Sequence, residues 1–150
     1  MNQTLEGIDS LTLNITDEIH VQASLEATFA AILEEMGPYN RGGEGQPMPM
    51  KLEAWPGGRW YRDLGGENGH FWGQVQAIKR PSLLEITGPL FMSSAVVSNV
   101  QYRLSEKAGG TLIQFRHTAF GVIEERYRAN APNGWRGLQV RIQRRAEAGR

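Results

Sequence analysis

The chain contains no cysteine among its 150 residues, which excludes disulfides, thiolate zinc sites, iron–sulfur ligation and a cysteine nucleophile together. Its three histidines leave little material for a metal cage, so neither a metal nor a cofactor is expected. No apolar run approaches the roughly 20 residues that cross a bilayer. The opening stretch MNQTLEGIDSLTLNITDEIH has neither a basic start nor an apolar core, so no signal peptide is expected and the expected location is the cytoplasm. Catalytic signatures are missing as well. There is no G-x-S-x-G, H-E-x-x-H, Walker loop or dinucleotide fingerprint, and Gly42-Gly43-Glu44-Gly45 does not join a strand to a helix. No catalytic residue can be named from the sequence. Lys+Arg and Asp+Glu balance at 16 each, and arginines and aromatics are not interleaved on one face, which argues against nucleic acid.

Charge is balanced globally but not locally. Residues 1–40 hold seven acidic side chains and no Lys or Arg, a formal −7, while residues 116–150 hold eight arginines against three glutamates, a formal +5. A basic surface for an anionic partner is one reading. The other is that the two ends of the chain pack together, which the lack of any contiguous like-charged block favours.

What is present is a pattern of strand, helix, many strands, helix. Leu13, Ile15, Ile19 and Val21 share one parity within 11–22, the mark of a half-buried strand. Asp17 shares that parity, so it sits at a bulge or faces an interior space, where an arginine of the terminal segment is its expected partner. Ser24 then fits an N-cap, and Leu25, Phe29, Ile32, Leu33 and Met36 follow at helical spacing up to Gly37-Pro38. The Gly/Pro-rich stretch 37–49 reads as a long mobile loop, of the kind that often forms lids or binding loops. Short strands are expected at 50–54, 58–64, 70–79, 83–87, 95–105 and 111–120, with turns at 55–58, 65–69 and 107–110. Asn68-Gly69 is the preferred pair for a tight hairpin. A short helix is expected at 123–129, with a fresh helix starting at Pro132. In that second helix Trp135, Leu138, Ile142 and Ala146 form an apolar stripe, and Arg136, Arg141 and Arg144 point away.

These elements are spread as they are in a known superfamily. Ala23-Ser24-Leu25-Glu26 leads into a helix bearing Phe29. Pro56-Gly57-Gly58-Arg59-Trp60 opens a strand. Gly73-x-Val75 precedes Pro81-x-x-Leu84. Gly110-Thr111 starts the strand ending at His117 and Phe120, and Gly134-Trp135 begins the last helix. In this order the chain resembles the START-like (SRPBCC) superfamily, and most nearly its branch named for activators of the heat-shock chaperone ATPase. It departs from that pattern where the loop 37–49 replaces a small second helix, and at Pro132. The resemblance implies an α+β helix-grip fold: a curved antiparallel sheet of about seven strands around a long C-terminal helix, with an N-terminal helix after the first strand. Residues 1–150 would form one such domain, with 1–10 a flexible segment.

The resemblance also implies a cavity between sheet and terminal helix. Its expected lining, the candidate ligand-binding set, is Trp60, Trp72, Leu84, Ile86, Val100, Tyr102, Phe115, His117 and Trp135. The competing reading is that these residues simply fill the core. His117 and Tyr102 are the polar candidates: by parity both face inward, where they either hydrogen-bond a ligand or are satisfied internally. His20 falls on the opposite face from Ile19 and Val21, so a two-histidine metal site is not expected. Leu90, Phe91 and Met92 are three large apolar residues in a connection, expected at the pocket mouth, under the loop 37–49, or in a homodimer contact. The function expected is binding of a small, largely hydrophobic molecule. The alternatives are a co-chaperone-like protein-interaction domain with a filled core, and a polyketide-cyclase-like enzyme using the same pocket.

Overall fold

Residues 7–149, the part described by a computed structural model, form seven antiparallel strands and two long helices. The strands are β1 (Thr12–Val21), β2 (Lys51–Leu52), β3 (Arg59–Gly65), β4 (Asn68–Lys79), β5 (Leu83–Gly88), β6 (Val96–Lys107) and β7 (Gly110–Gly121). Helix α1 (Leu25–Met36) follows β1, and α2 (Glu125–Ala148) closes the chain. The sheet order is β1-β7-β6-β5-β4-β3-β2, so the first strand returns beside the last and every other neighbour is a hairpin partner. This is the helix-grip arrangement expected. Of the segment expected to be flexible, residues 1–6 lie outside the described part, whereas residues 7–10 form a helical turn in which Ser10 Oγ–H donates to the Gly7 carbonyl.

Pairing registers carry two buried rows across the inner face. Ile86 opposes Val100, Val100 opposes His117, and His117 opposes Ile15; one pair along, Leu84, Tyr102, Phe115 and Asp17 align in the same way. The β1–β7 register is unbroken, so Asp17 occupies no bulge. It faces the helices at an edge strand, where Arg136 NH1 meets its Oδ1 at 3.1 Å. The hairpin joining β3 and β4 turns on Gly66-Glu67, with Gly65 paired to Asn68, and Asn68-Gly69 already belongs to the strand. Both turn residues have positive φ, 60° and 64°, the backbone a twisted two-residue hairpin demands. The register shifts twice between β3 and β4, at Trp60/Tyr61 and Asp63/Gly65, and once between β4 and β5, at Val75/Ala77.

Ser24 caps α1 by accepting the Ala27 N–H at 3.0 Å, and Phe29, Ile32 and Met36 are buried against the sheet. Helix α2 is one continuous helix from Glu125, not a short helix followed by a second one at Pro132. Tertiary anchors on both sides of the proline account for this. Arg128 donates to the Thr12 and Ser10 carbonyls at 2.7 and 2.9 Å, and Ala131 and Trp135 are buried. Holding the chain on a common axis offsets the missing N–H of Pro132. Trp135, Leu138, Ile142 and Ala146 form the buried stripe as expected. Arg136 and Arg141 do not point away. Arg136 pairs with Asp17, and Arg141 and Arg145 converge on the buried Glu35 at 3.1 and 2.7 Å. The acidic start and basic end of the chain therefore neutralise each other along α1, β1 and α2.

The stretch 37–49 is tied down by its own backbone. Met48 N–H donates to the Asn40 carbonyl and Met50 N–H to that of Gly37, both at 2.9 Å, and Gly42 N–H reaches Gln46 at 2.9 Å. Asn40 is buried and its amide donates to the Met48 carbonyl. The loop expected to be mobile is thus a closed, hydrogen-bonded flap. No helix among the described residues is long and apolar enough to cross a membrane.

Candidate functional site

A cleft of about 820 Å³ opens between this flap, the first half of α2 and the inner ends of β3 and β4. Its apolar wall is made of rings. Trp72 meets Trp60 edge-on at 4.9 Å and Phe91 at 5.9 Å, and Phe91 continues the contact to Tyr127 at 5.4 Å and Trp135 at 6.1 Å. The polar part of the lining includes Arg41, His70, Arg126, Asn130, Asn133 and Arg141. The volume lies within the range of small-molecule sites, and the lining combines this ring wall with polar side chains.

On the α2 side of the cleft, Gly134 and Gly137 contribute no side chain, between Asn130 and Arg141, which line the cleft at the same helical spacing. A Cβ added at Gly134 would meet no atom within 4 Å. Close packing therefore does not explain this glycine, although a glycine inside a helix costs about 1 kcal/mol relative to alanine.

Of the nine expected lining residues, the structure brings Trp60, Trp72 and Trp135 to the cleft. Leu84, Ile86, Val100, Tyr102, Phe115 and His117 are buried in the packed core behind it and do not reach its surface. Tyr102 and His117 face inward, but they share no space and do not bond each other. Tyr102 O–H donates to Gln139 Oε1 at 2.5 Å. Burial raises its phenol well above the ordinary value, with the Asp17 charge adding to the effect and Arg141 opposing it. His117 accepts the Trp135 indole N–H on Nδ1 at 3.0 Å and holds Ser98 Oγ at 2.9 Å from Nε2. Burial pushes its pKa down to about 4, so it is neutral at pH 7. Among the described residues no group of acidic or histidine side chains could hold a metal ion.

Leu90 and Met92 are buried within the chain, so neither offers a surface to a second copy, while Phe91 is half-buried at the cleft. Several cleft residues escaped the sequence reading: His70, Tyr127, Asn130 and Asn133. His70 was discoverable, since it lies two residues before Trp72 on one strand and must share its face.

Solved structures share this architecture at low sequence identity. CalU16 from Micromonospora echinospora is 19% identical, with a TM-score of 0.59 over 88% of this chain and 71% of that one. The Aha1 dimer from Colwellia psychrerythraea is 15% identical, with a TM-score of 0.66 over 92% and 98% of the two chains. Ara h 8.0201 is 12% identical, with a TM-score of 0.67 over 90% and 97%. No curated protein sequence matches the chain. The fold is that of the START-like (SRPBCC) helix-grip superfamily. Within it, the family model described as Activator of Hsp90 ATPase homolog 1-like protein matches residues 22–145, a span that takes in every wall of the cleft, and the chain belongs to that family.

Proposed function

We propose that the protein binds a small, largely hydrophobic molecule in the cleft between α2, the flap 37–49 and the β3–β4 end of the sheet. The carrying observation is the continuous ring surface of Trp72, Phe91, Tyr127 and Trp135 beside an unfilled helix wall at Gly134. Trp72 and Trp135 contact the ligand directly, and Trp60, almost wholly buried, backs Trp72 at the inner end of the cleft. Leu84, Ile86, Val100, Tyr102, Phe115 and His117 form the packed layer that holds those rings in place. Native mass spectrometry of protein purified from cells is expected to show a retained small molecule that organic extraction removes. A bare polypeptide mass, together with no saturable binding of 1-anilinonaphthalene-8-sulfonate, would contradict the reading.

A protein-interaction role draws on a different surface. Val97 and Phe120 are cross-strand partners on the outer face of β6 and β7, and with Val122 each is more than half exposed. Substitution of Phe120 by Ser tests this role without touching the cleft; an unchanged set of bound proteins would remove it.

A further inference from the structure

Two Trp–His–Ser relays flank Phe91. In one, Trp135 donates to His117 Nδ1 at 3.0 Å and His117 Nε2 lies 2.9 Å from Ser98 Oγ. In the other, Trp72 donates to His70 Nδ1 at 3.0 Å and His70 Nε2 lies 3.4 Å from Ser93 Oγ. An indole N–H can only donate, so each bond occupies the Nδ1 lone pair and the neutral ring carries its proton on Nε2. Both histidines therefore present an Nε2–H donor. They differ in what that donor meets. The contact at 2.9 Å is an ordinary hydrogen bond, whereas 3.4 Å lies beyond the usual N–H···O range. His117 is fully buried, while His70 is half-buried and lines the cleft.

We propose that His70 is the polar recognition residue of the cleft, donating its Nε2–H to the carbonyl oxygen of a largely aromatic ligand in place of the long contact to Ser93. This rests on the reading of the cleft as a hydrophobic-ligand site. The aromatic character follows from the walls, whose ring edges and faces at Trp72, Phe91 and Trp135 favour a further ring. The acceptor follows from the His70 Nε2–H itself, which is engaged in a 3.4 Å contact to Ser93 Oγ. Of the charged groups lining the cleft, Arg126 is paired with Glu124 and Arg141 with Glu35, which leaves Arg41 and Glu44. Arg41 has no carboxylate partner among the described residues; its NH1 donates to the Gly45 carbonyl. A ligand carrying only a donor at this point would leave the His70 N–H without an acceptor.

Benzophenone and diphenylmethane test the assignment, because they share two phenyl rings and differ only in C=O against CH₂. A purely apolar pocket prefers diphenylmethane, the more hydrophobic of the two. Calorimetric titration of the wild-type chain is expected to favour benzophenone by about tenfold, the scale of one well-placed hydrogen bond. His70→Phe is expected to reverse the order while diphenylmethane affinity stays within about twofold, and His70→Gln, which keeps an amide donor, restores part of the preference. The ¹⁵N spectrum of His70 should show the ring protonated at Nε2, with that proton shifting on addition of benzophenone. An identical preference in wild type and both variants would overturn the role of His70 and leave the cleft reading standing. Absence of saturable binding of either compound to the folded wild-type protein would overturn both.

Discussion

The two flanks of α2 are built in opposite ways. On the flank facing β1, Arg128 donates to the Ser10 and Thr12 carbonyls, Arg136 to that of Glu18 and Gln143 to that of His20, while Glu147 accepts the Gln22 N–H. The Thr12, Glu18 and His20 carbonyls are outward backbone groups of an edge strand ten residues long, which would otherwise be open to pairing with another chain, and the Ser10 and Gln22 groups flank its two ends. On the flank facing the cleft, Asn130, Asn133 and Gly134 are exposed and the Gly134 wall is empty. The same flank carries two glycines of α2, Gly134 and Gly137, whereas Pro132 shares the β1 side with Arg128 and Arg136 at i, i+4 spacing. Each glycine costs about 1 kcal/mol relative to alanine. Local propensity is given up where the cleft needs space, and the sealed flank offsets the loss.

Trp135 lies beneath both flanks, so its removal has the largest effect. Trp135→Ala should cost about 3–5 kcal/mol in chemical denaturation; a loss below about 1 kcal/mol would mean that α2 is not docked through this side chain. Acid comes next, through His117 behind that indole. The unfolded chain takes up a proton near pH 6.5, whereas the folded one resists until about 4. This contribution is therefore complete above pH 6.5 and is lost as pH falls toward 4, by up to about 3 kcal/mol. His117→Gln should flatten that part of the stability–pH curve. On the sealed flank, Arg128→Ala should destabilise by about 1–2 kcal/mol. On the open flank the sign reverses. Gly134→Ala should stabilise by about 1 kcal/mol, and a loss there would mean that the glycine serves packing.

The sequence made the strands, α1, its Ser24 cap and the buried stripe of α2 readable because each repeats at a fixed period. It also exposed the attraction between the acidic start and basic end, realised in Asp17–Arg136 and Glu35–Arg145. Continuity through Pro132 was hidden, since it depends on Arg128 bonding a strand more than 100 residues away in sequence. The flap was hidden for a similar reason: Gly and Pro mark a departure from regular structure, and the bonds of Asn40 to Met48 have no periodicity. Parity correctly turned Tyr102 and His117 inward but could not tell a cavity from a core. That distinction came from Gln139 and Ser98, partners supplied by other elements.

If the space beside Gly134 is where a ligand sits, filling it weakens binding and leaves the fold intact. Gly134→Trp fills that space without displacing any neighbour within 4 Å of its new Cβ. Titration with 1-anilinonaphthalene-8-sulfonate should then show saturable binding to the wild-type chain. It should show at least tenfold weaker binding to the variant, with the melting temperature of the variant preserved. Equal affinity in both proteins would mean that the ligand does not occupy this space.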